Sequence, residues 1–413
     1  MATIGDGLAV HDDPVRAAEV AARQALEPLG DRPSELLCVF VCTDDRESFA
    51  AAIARVRDLA APRVLVGCTA GGVLGGGQGV EHASAASVWA ARLPRARIRP
   101  FHLDVMRTDH GVRVVGIPEV TTDDQVAVLL ADPYTFPVTA FVEHTNTVLP
   151  GFPFVGALAS PAGDGPLWLG LDGSVKARGA VGLMIGGAVG WRAAVSQGCR
   201  PIGPTMVVTR AEGNILYEFA GVPALSRLEE IISALPYDEQ PLAAHGLQIG
   251  IAMDEYAERH EHGDFLIRGL LGAERETGAV LVGDVVGVGQ SVRLHLRDAR
   301  SAQLGLVETL AGVRGRGALR SVDGALLFSC NGRGTATFPS ADHDILAVRT
   351  ALGTHGVAGF FAAGEIGPVA GRNHVHGFTA SILAFGRRDT ASSTSAAAQT
   401  AAAGSAADRE AGS

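Results

Sequence analysis

Three times along the chain a continuous apolar run leads into a helical pattern, and a second apolar run then ends in glycine and small residues. The first unit is ELLCVFVC (35–42), then ESFAAAIARVRDLA, then RVLVGCTAGG (63–72). The second is QVAVLLAD (125–132), then PVTAFVEHTN, then FPFVGALAS (152–160). The third is GALLFSCNGRG (324–334), then DHDILAVRTALG, then GVAGFFAAGE (356–365). A further apolar run follows each unit: ASVWAARL, GAVGLMIGG and GFTASILAF. Each repeat therefore predicts strand, helix, strand, tight turn, strand. The apolar runs do not alternate with polar residues, so both faces of these sheets should be covered.

Outside the repeats, Pro14 to Leu29 predicts an amphipathic lead-in helix within residues 1–32. WRAAVSQGCRPIGP reads as a strand closing in a Gly/Pro turn, and TMVVTRAEGNILYEFAG as a hairpin around Glu212-Gly213-Asn214. VPALSRLEEIISAL predicts a helix, FLIRGLLG, AVLVGDVV and SVRLHLRD predict strands, and SAQLGLVETLAGVRGR predicts a helix. A boundary near Gly221 divides the folded chain into 33–220 and 221–388. Residues 389–413 are rich in Ala, Ser and Thr and are expected to be disordered. The expected fold class is α/β: two closely packed domains with mixed sheets built from βαβ-plus-hairpin units.

Composition narrows the function. With 413 residues, 47% apolar and 19% charged, the bulk of the chain should fold. A net charge of −10 and the lack of a basic run argue against nucleic acid as a partner. The opening residues are acidic and lack the basic and apolar regions of a signal peptide. The longest weakly polar stretch, Gly179 to Trp191, is shorter than the roughly 20 residues of a membrane span. The five cysteines form no CxxC pair and sit in strand contexts, which predicts free thiols in a reducing cytoplasm and no structural metal.

Candidate chemistry gathers at strand ends. SCNGRGTATF (329–338) joins Cys330, Asn331, Gly332, Arg333 and Gly334. Its glycines let a backbone approach a ligand, and its arginine can fork onto a carboxylate. The plain alternative is a strand ending in a turn. GEIGPVAGRNHVHGFT (364–379) holds Gly364, Glu365, Arg372, Asn373, His374 and His376. Its His-x-His pair lacks an evident second acid for a metal site, and Glu365 could simply cap a turn. GCTAGG adds Cys68 and Thr69, SQGCRPIGP adds Gln197, Cys199 and Arg200, and FVEHTNT adds His144 and Asn146. Cys330 could pair with His343, His374 or His376 as a nucleophile, although no known nucleophile signature surrounds it. No phosphate-loop or complete dinucleotide motif occurs, and no cofactor is expected.

Taken together, these stretches resemble the FIST family. GCTAGG, FVGALASP and SQGCRPIGP resemble its N-terminal domain, and FLIRGLLG, SCNGRG, GFFAAGEIGP and HGFTASILAF its C-terminal domain. The resemblance runs from about residue 33 to 388. It implies a sensory module of bacterial signal transduction that binds small ligands such as amino acids, and it transfers no catalytic residues. Three functions follow as expectations. In the first, an amino acid-like ligand places its ammonium on Glu365 and its carboxylate on Arg333 and neighbouring glycine N–H groups, and the signal passes to a separate partner protein. In the second, the chain is a protein-interaction adaptor and Glu365 only caps a turn. In the third, it is an enzyme that uses Cys330.

Overall fold

The computed structural model describes residues 2–109, 111–255, 264–315 and 319–388. The predicted tail lies outside the described residues. The fold is α/β with mixed sheets, 23% helical and 47% strand.

Each repeat forms its βαβ unit. Leu36–Val41 pairs parallel to Val64–Thr69, Asp124–Ala131 to Phe154–Leu158, and Leu319–Cys330 to Val357–Ala362. The crossover helices are Arg46–Ala60, Val138–Val148 and His343–Leu352. The Asp45 side chain caps the first of these by accepting from Ser48 N. Gly353, at φ 64°, ends the third in the left-handed region, its N–H donating to Arg349 O. The strand after each unit returns antiparallel to the unit's first strand: Ala85–Arg92, Ala180–Gly187 and Ala380–Arg388.

The tight turn of each repeat closes a hairpin, and no unit keeps its own. Residues 72–81 leave the first unit and join the third, where Leu74 pairs with Gly359. Residues 169–176, from the second, pair with Val64–Thr69 of the first. Residues 364–376, from the third, pair with Phe154–Leu158 of the second. The exchange is cyclic. All three hairpins turn through two residues of positive φ: Gly76 and Gly77 (58° and 79°), Asp172 and Gly173 (48° and 82°), and Ala370 and Gly371 (49° and 76°). This is the turn whose twist matches paired strands, and it explains the glycine at the second position of each.

The three repeat sheets pack around one core, in which Phe40, Phe328 and Phe360 meet with ring centroids 4.9 to 6.5 Å apart. Helices cover the outer faces, so the strands are buried on both sides as their unbroken apolar runs predict. A fourth, antiparallel sheet spans residues 199–297 and is inserted between the strand Gly190–Ser196 and Leu319–Cys330.

Two expectations change. Thr3–Val10 is a strand at the edge of the first sheet, not helix lead-in. Its Gly5 and Gly7 lie so close to the helix Pro14–Leu26 that a Cβ on either would sit 2.2 or 2.1 Å from a helix carbonyl, so the strand shows no apolar signature there. The CRPIGP segment is not a turn. It opens the long strand Cys199–Glu212, and a register shift between Ile202 and Met206 absorbs its prolines and glycine.

Candidate ligand site

The strands Leu319–Cys330 and Val357–Ala362 end side by side, with Cys330 opposite Ala362. Open α/β sheets bind ligands beyond such carboxyl ends. After Cys330 the chain makes a short 3₁₀ turn, Asn331–Arg333. Thr337 Oγ1 donates to Gly332 O at 2.6 Å, and Glu81, from the first unit's hairpin, accepts from Thr335 N at 2.7 Å.

The turn drives Arg333 inward, where it is 2% exposed. Its Nε and Nη2 fork onto Asp344 at 2.7 and 2.9 Å. Asp344 sits in the first turn of the helix His343–Leu352 and also accepts from Ser329 Oγ at 2.6 Å. Burial opposes ionisation of Asp344, but Arg333 and these hydrogen bonds win and hold its carboxyl well below the usual range. The third guanidinium nitrogen, Arg333 Nη1, is buried without a hydrogen-bond partner.

Glu365 is wholly buried. Its Oε2 accepts from both Thr379 N (3.1 Å) and Thr379 Oγ1 (2.7 Å), and its Oε1 has no partner. Burial pushes its pKa up to about 8, against the pull of Thr379, Arg333 and the Cys330 thiol. Cys330 is 8% exposed, and burial, with Glu365 beside it, pushes the thiol up to about 12. Gly198 covers Arg333: a Cβ there would lie 2.5 Å from Nη1.

Phe378 closes the outer side. A Cβ on Gly332 would lie 2.0 Å from its ring, and the Arg297 guanidinium stacks over it at 3.1 Å. Its φ of 63° is a conformation that costs a non-glycine residue about 1 kcal/mol or more. Beyond Phe378 runs a groove of about 360 Å³, lined by the Arg268–Asp284 ion pair, Gln248, Ile267 and Val375.

The expected residues divide into two groups. Cys330, Gly332, Arg333 and Glu365 come together. Asn331 is exposed, and Gly334 packs against the Glu81 carboxylate. Gly364 packs on Leu158, and Arg372 is exposed beside the hairpin turn. Asn373 is engaged in docking that hairpin: its side chain accepts from Phe154 N, donates to Phe152 O and lies against Thr145. Asn146, also a candidate, bonds both backbone groups of Asn373. Thr69 accepts from Trp168 N and so docks the second unit's hairpin, and Cys68 lies in the core. The Arg333 fork expected for a ligand carboxylate is engaged by Asp344, which leaves Nη1 alone. Arg200 pairs with Glu239 and Asp298. The rings of His374 and His376 lie 5.8 Å apart, but no group of three metal-binding side chains occurs among the described residues.

Asp344, Thr379 and Phe378 were missed. Asp344 reads in sequence as a first-turn helix acid, and Thr379 as the start of a strand. The repeat carries a further signal. Glu365 stands five positions ahead of the turn residue Ala370, and the same count back from Gly76 and Asp172 gives Gly71 and Leu167. The hairpin architecture is thus built twice without an acid at this position.

No helix among the described residues is long and apolar enough to cross a membrane. Residues 35–222 match the FIST N domain and residues 224–368 the FIST C domain. An uncharacterized protein of Mycobacterium tuberculosis is 42% identical over 386 residues, covering 92% of this chain and 99% of its own. An uncharacterized protein of Mycobacterium bovis is 42% identical over 385 residues, covering 92% and 98%. FIST domains are associated with sensory roles in signal transduction. The two matched domains and the similarity along nearly the whole of these relatives make the chain a member of the FIST family.

Proposed function

We propose that the chain is a cytoplasmic sensor that binds a small amino acid-like ligand between Glu365 and Arg333. One observation carries the reading. An arginine and a carboxyl whose ionisation its charge favours lie buried near each other, and each keeps one polar atom that the fold does not satisfy. Buried polar atoms are almost always paired, and leaving one unpaired costs about 1–3 kcal/mol. Glu365 Oε1 suits an ammonium, and Arg333 Nη1 suits one oxygen of a carboxylate. Glu365 caps the turn at Thr379 through Oε2 alone, which leaves Oε1 unaccounted for, and the sister repeats carry glycine or leucine at this position. Phe378 stands between these atoms and the groove and would have to move for entry. The ligand-bound state then signals to a separate partner protein, in line with the sensory association of the family.

The test is a thermal-shift screen of the full chain against amino acids and central metabolites, followed by titration calorimetry. A ligand at one hundred times its Kd adds about 2.7 kcal/mol, which raises the melting point by a few degrees. The expected result is a shift from one chemical class that disappears in Glu365→Gln. A shift that persists in Glu365→Gln removes the assignment, and a flat screen moves the function to protein partners.

A further inference from the structure

A second polar cleft, of about 420 Å³, lies at the other end of the helix that carries Asp344. Asp6 reaches it from the strand Thr3–Val10, Arg349 from the last turn of the helix His343–Leu352, and His355 from the corner that follows. Gln78, beside the turn of the first unit's hairpin, and Gln24 and Glu27, from the end of the lead-in helix, complete its polar walls. The first and third repeats meet here.

The Asp6 side chain is 6% exposed and that of Arg349 18%. Asp6 Oδ2 accepts from Gly76 N at 2.5 Å. Arg349 Nη2 donates to His355 Nδ1 at 2.8 Å. Arg349 Nη1 is buried without a hydrogen-bond partner and stops 3.8 Å from Asp6 Oδ2. A charged hydrogen bond between them would close to about 2.8 Å. The two groups are held apart by their anchors, on Gly76 and on His355. Asp6 is incompletely compensated as a result: burial pushes its carboxyl up to about 6, despite Gly76, Arg349 and His355.

We propose that this cleft binds a small neutral polyhydroxylated molecule, a sugar or polyol, with one hydroxyl set between Asp6 and Arg349. A hydroxyl is the group that can accept from a guanidinium and donate to a carboxylate at once. Two hydrogen bonds of about 2.8 Å spanning the 3.8 Å gap meet at that oxygen at about 85°, a strained but usable angle for its two roles. A carboxylate ligand would satisfy Arg349 but face Asp6 and Glu27. A cation would face Arg349. The zwitterion of an amino acid needs its two partners set farther apart, whereas these two atoms are close enough for one oxygen beside them to bond both. The Gln24 amide, whose oxygen accepts from Leu8 N, offers its NH2 group, the exposed Gln78 amide offers a donor and an acceptor, and the size falls within the usual range for small-molecule pockets of about 300–1,000 Å³. This site is independent of the one at Glu365.

Saturation-transfer NMR of the full chain with mannitol, glucose and myo-inositol tests it, with glycine and acetate as charged controls. One or more of the polyols should receive saturation, and in the Glu365→Gln chain, where the other site is removed, the controls should not. Arg349→Lys keeps the charge but removes the Nη1 donor, and should weaken binding by about tenfold. Glu365→Gln should leave polyol binding unchanged, which separates this site from the other. If Arg349→Lys fails to fold, Gln78→Ala, at an exposed wall residue, should weaken binding several-fold. Absence of transfer to all three polyols, transfer that survives the cleft substitutions, or preferential binding of glycine or acetate in the cleft overturns the proposal.

Discussion

Thr379 gives both its backbone N–H and its hydroxyl to one oxygen of Glu365, at 3.1 and 2.7 Å, and the other oxygen is left without a partner in the protein interior. A carboxyl solvated on one side only is expensive to ionise, which is why burial raises it to about 8.

That shift sets a pH dependence. The unfolded chain releases the Glu365 proton near the ordinary value of 4.5, whereas the folded chain holds it until about 8. Between those values the folded state binds the extra proton, so stability falls as pH rises, and the loss is complete above the folded value. Glu365→Gln should therefore gain stability relative to the parent from about pH 4.5 to about pH 8, with a flat difference on either side. His376 works in the opposite direction. Burial pushes its pKa down to about 3, so it removes stability as pH falls below 6.5, but it does so in both proteins and cancels in the comparison. Urea unfolding of the two proteins across this range measures the difference. A constant difference would mean that Glu365 is ionised in the fold throughout.

Arg333 and Asp344 form a doubly hydrogen-bonded pair with side chains 1% exposed. Removing one charge of such a pair leaves the other buried and unpaired, at a cost of about 3–5 kcal/mol. Asp344→Asn should lower stability by that order. The double substitution Arg333→Met with Asp344→Leu should cost less than the single one, because no charge remains to be buried. Chemical denaturation of the three proteins checks the order, and a double variant weaker than Asp344→Asn would contradict it.

Cys330 should be a slow nucleophile at neutral pH. Its thiol is pushed up to about 12, and the thiolate is the reactive form. The ring of Phe378 packs against the neighbouring Gly332. Phe378→Ala should speed alkylation by iodoacetamide through access alone, with the steep rise toward high pH retained. Mass spectrometry of the labelled peptide reads both effects. Rapid labelling of the parent protein at neutral pH would return the cysteine-enzyme reading to consideration.

The βαβ units were legible because buried parallel strands leave unbroken apolar runs, and the crossover helices separate them clearly. The exchange of hairpins was not legible. GVLG and LGL are too short to specify a partner, and pairing Leu74 with Gly359 rather than with its own unit is decided by packing around the common core. The strand Thr3–Val10 was hidden by two glycines whose purpose is contact with a helix. At the site, polarity at strand ends gathered Glu365, Arg333 and Cys330. The same signal gathered Thr69 and Asn373, whose polar groups fasten hairpins between repeats. Sequence shows a polar residue at an edge. It does not show whether a neighbouring backbone already uses its hydrogen bonds.

The cyclic exchange fixes an order of assembly during synthesis. The strand Phe154–Leu158 waits for residues 364–369, and Val357–Ala362 receives a hairpin made from residues 72–81. The second repeat's sheet cannot be completed until the third repeat has left the ribosome, so the nascent chain carries unpaired sheet edges from the second repeat to the end of the third. Loop closure over such separations slows folding. Exposed edges are also where chains pair wrongly. The protein should therefore depend on chaperones in the cell more than its size alone implies.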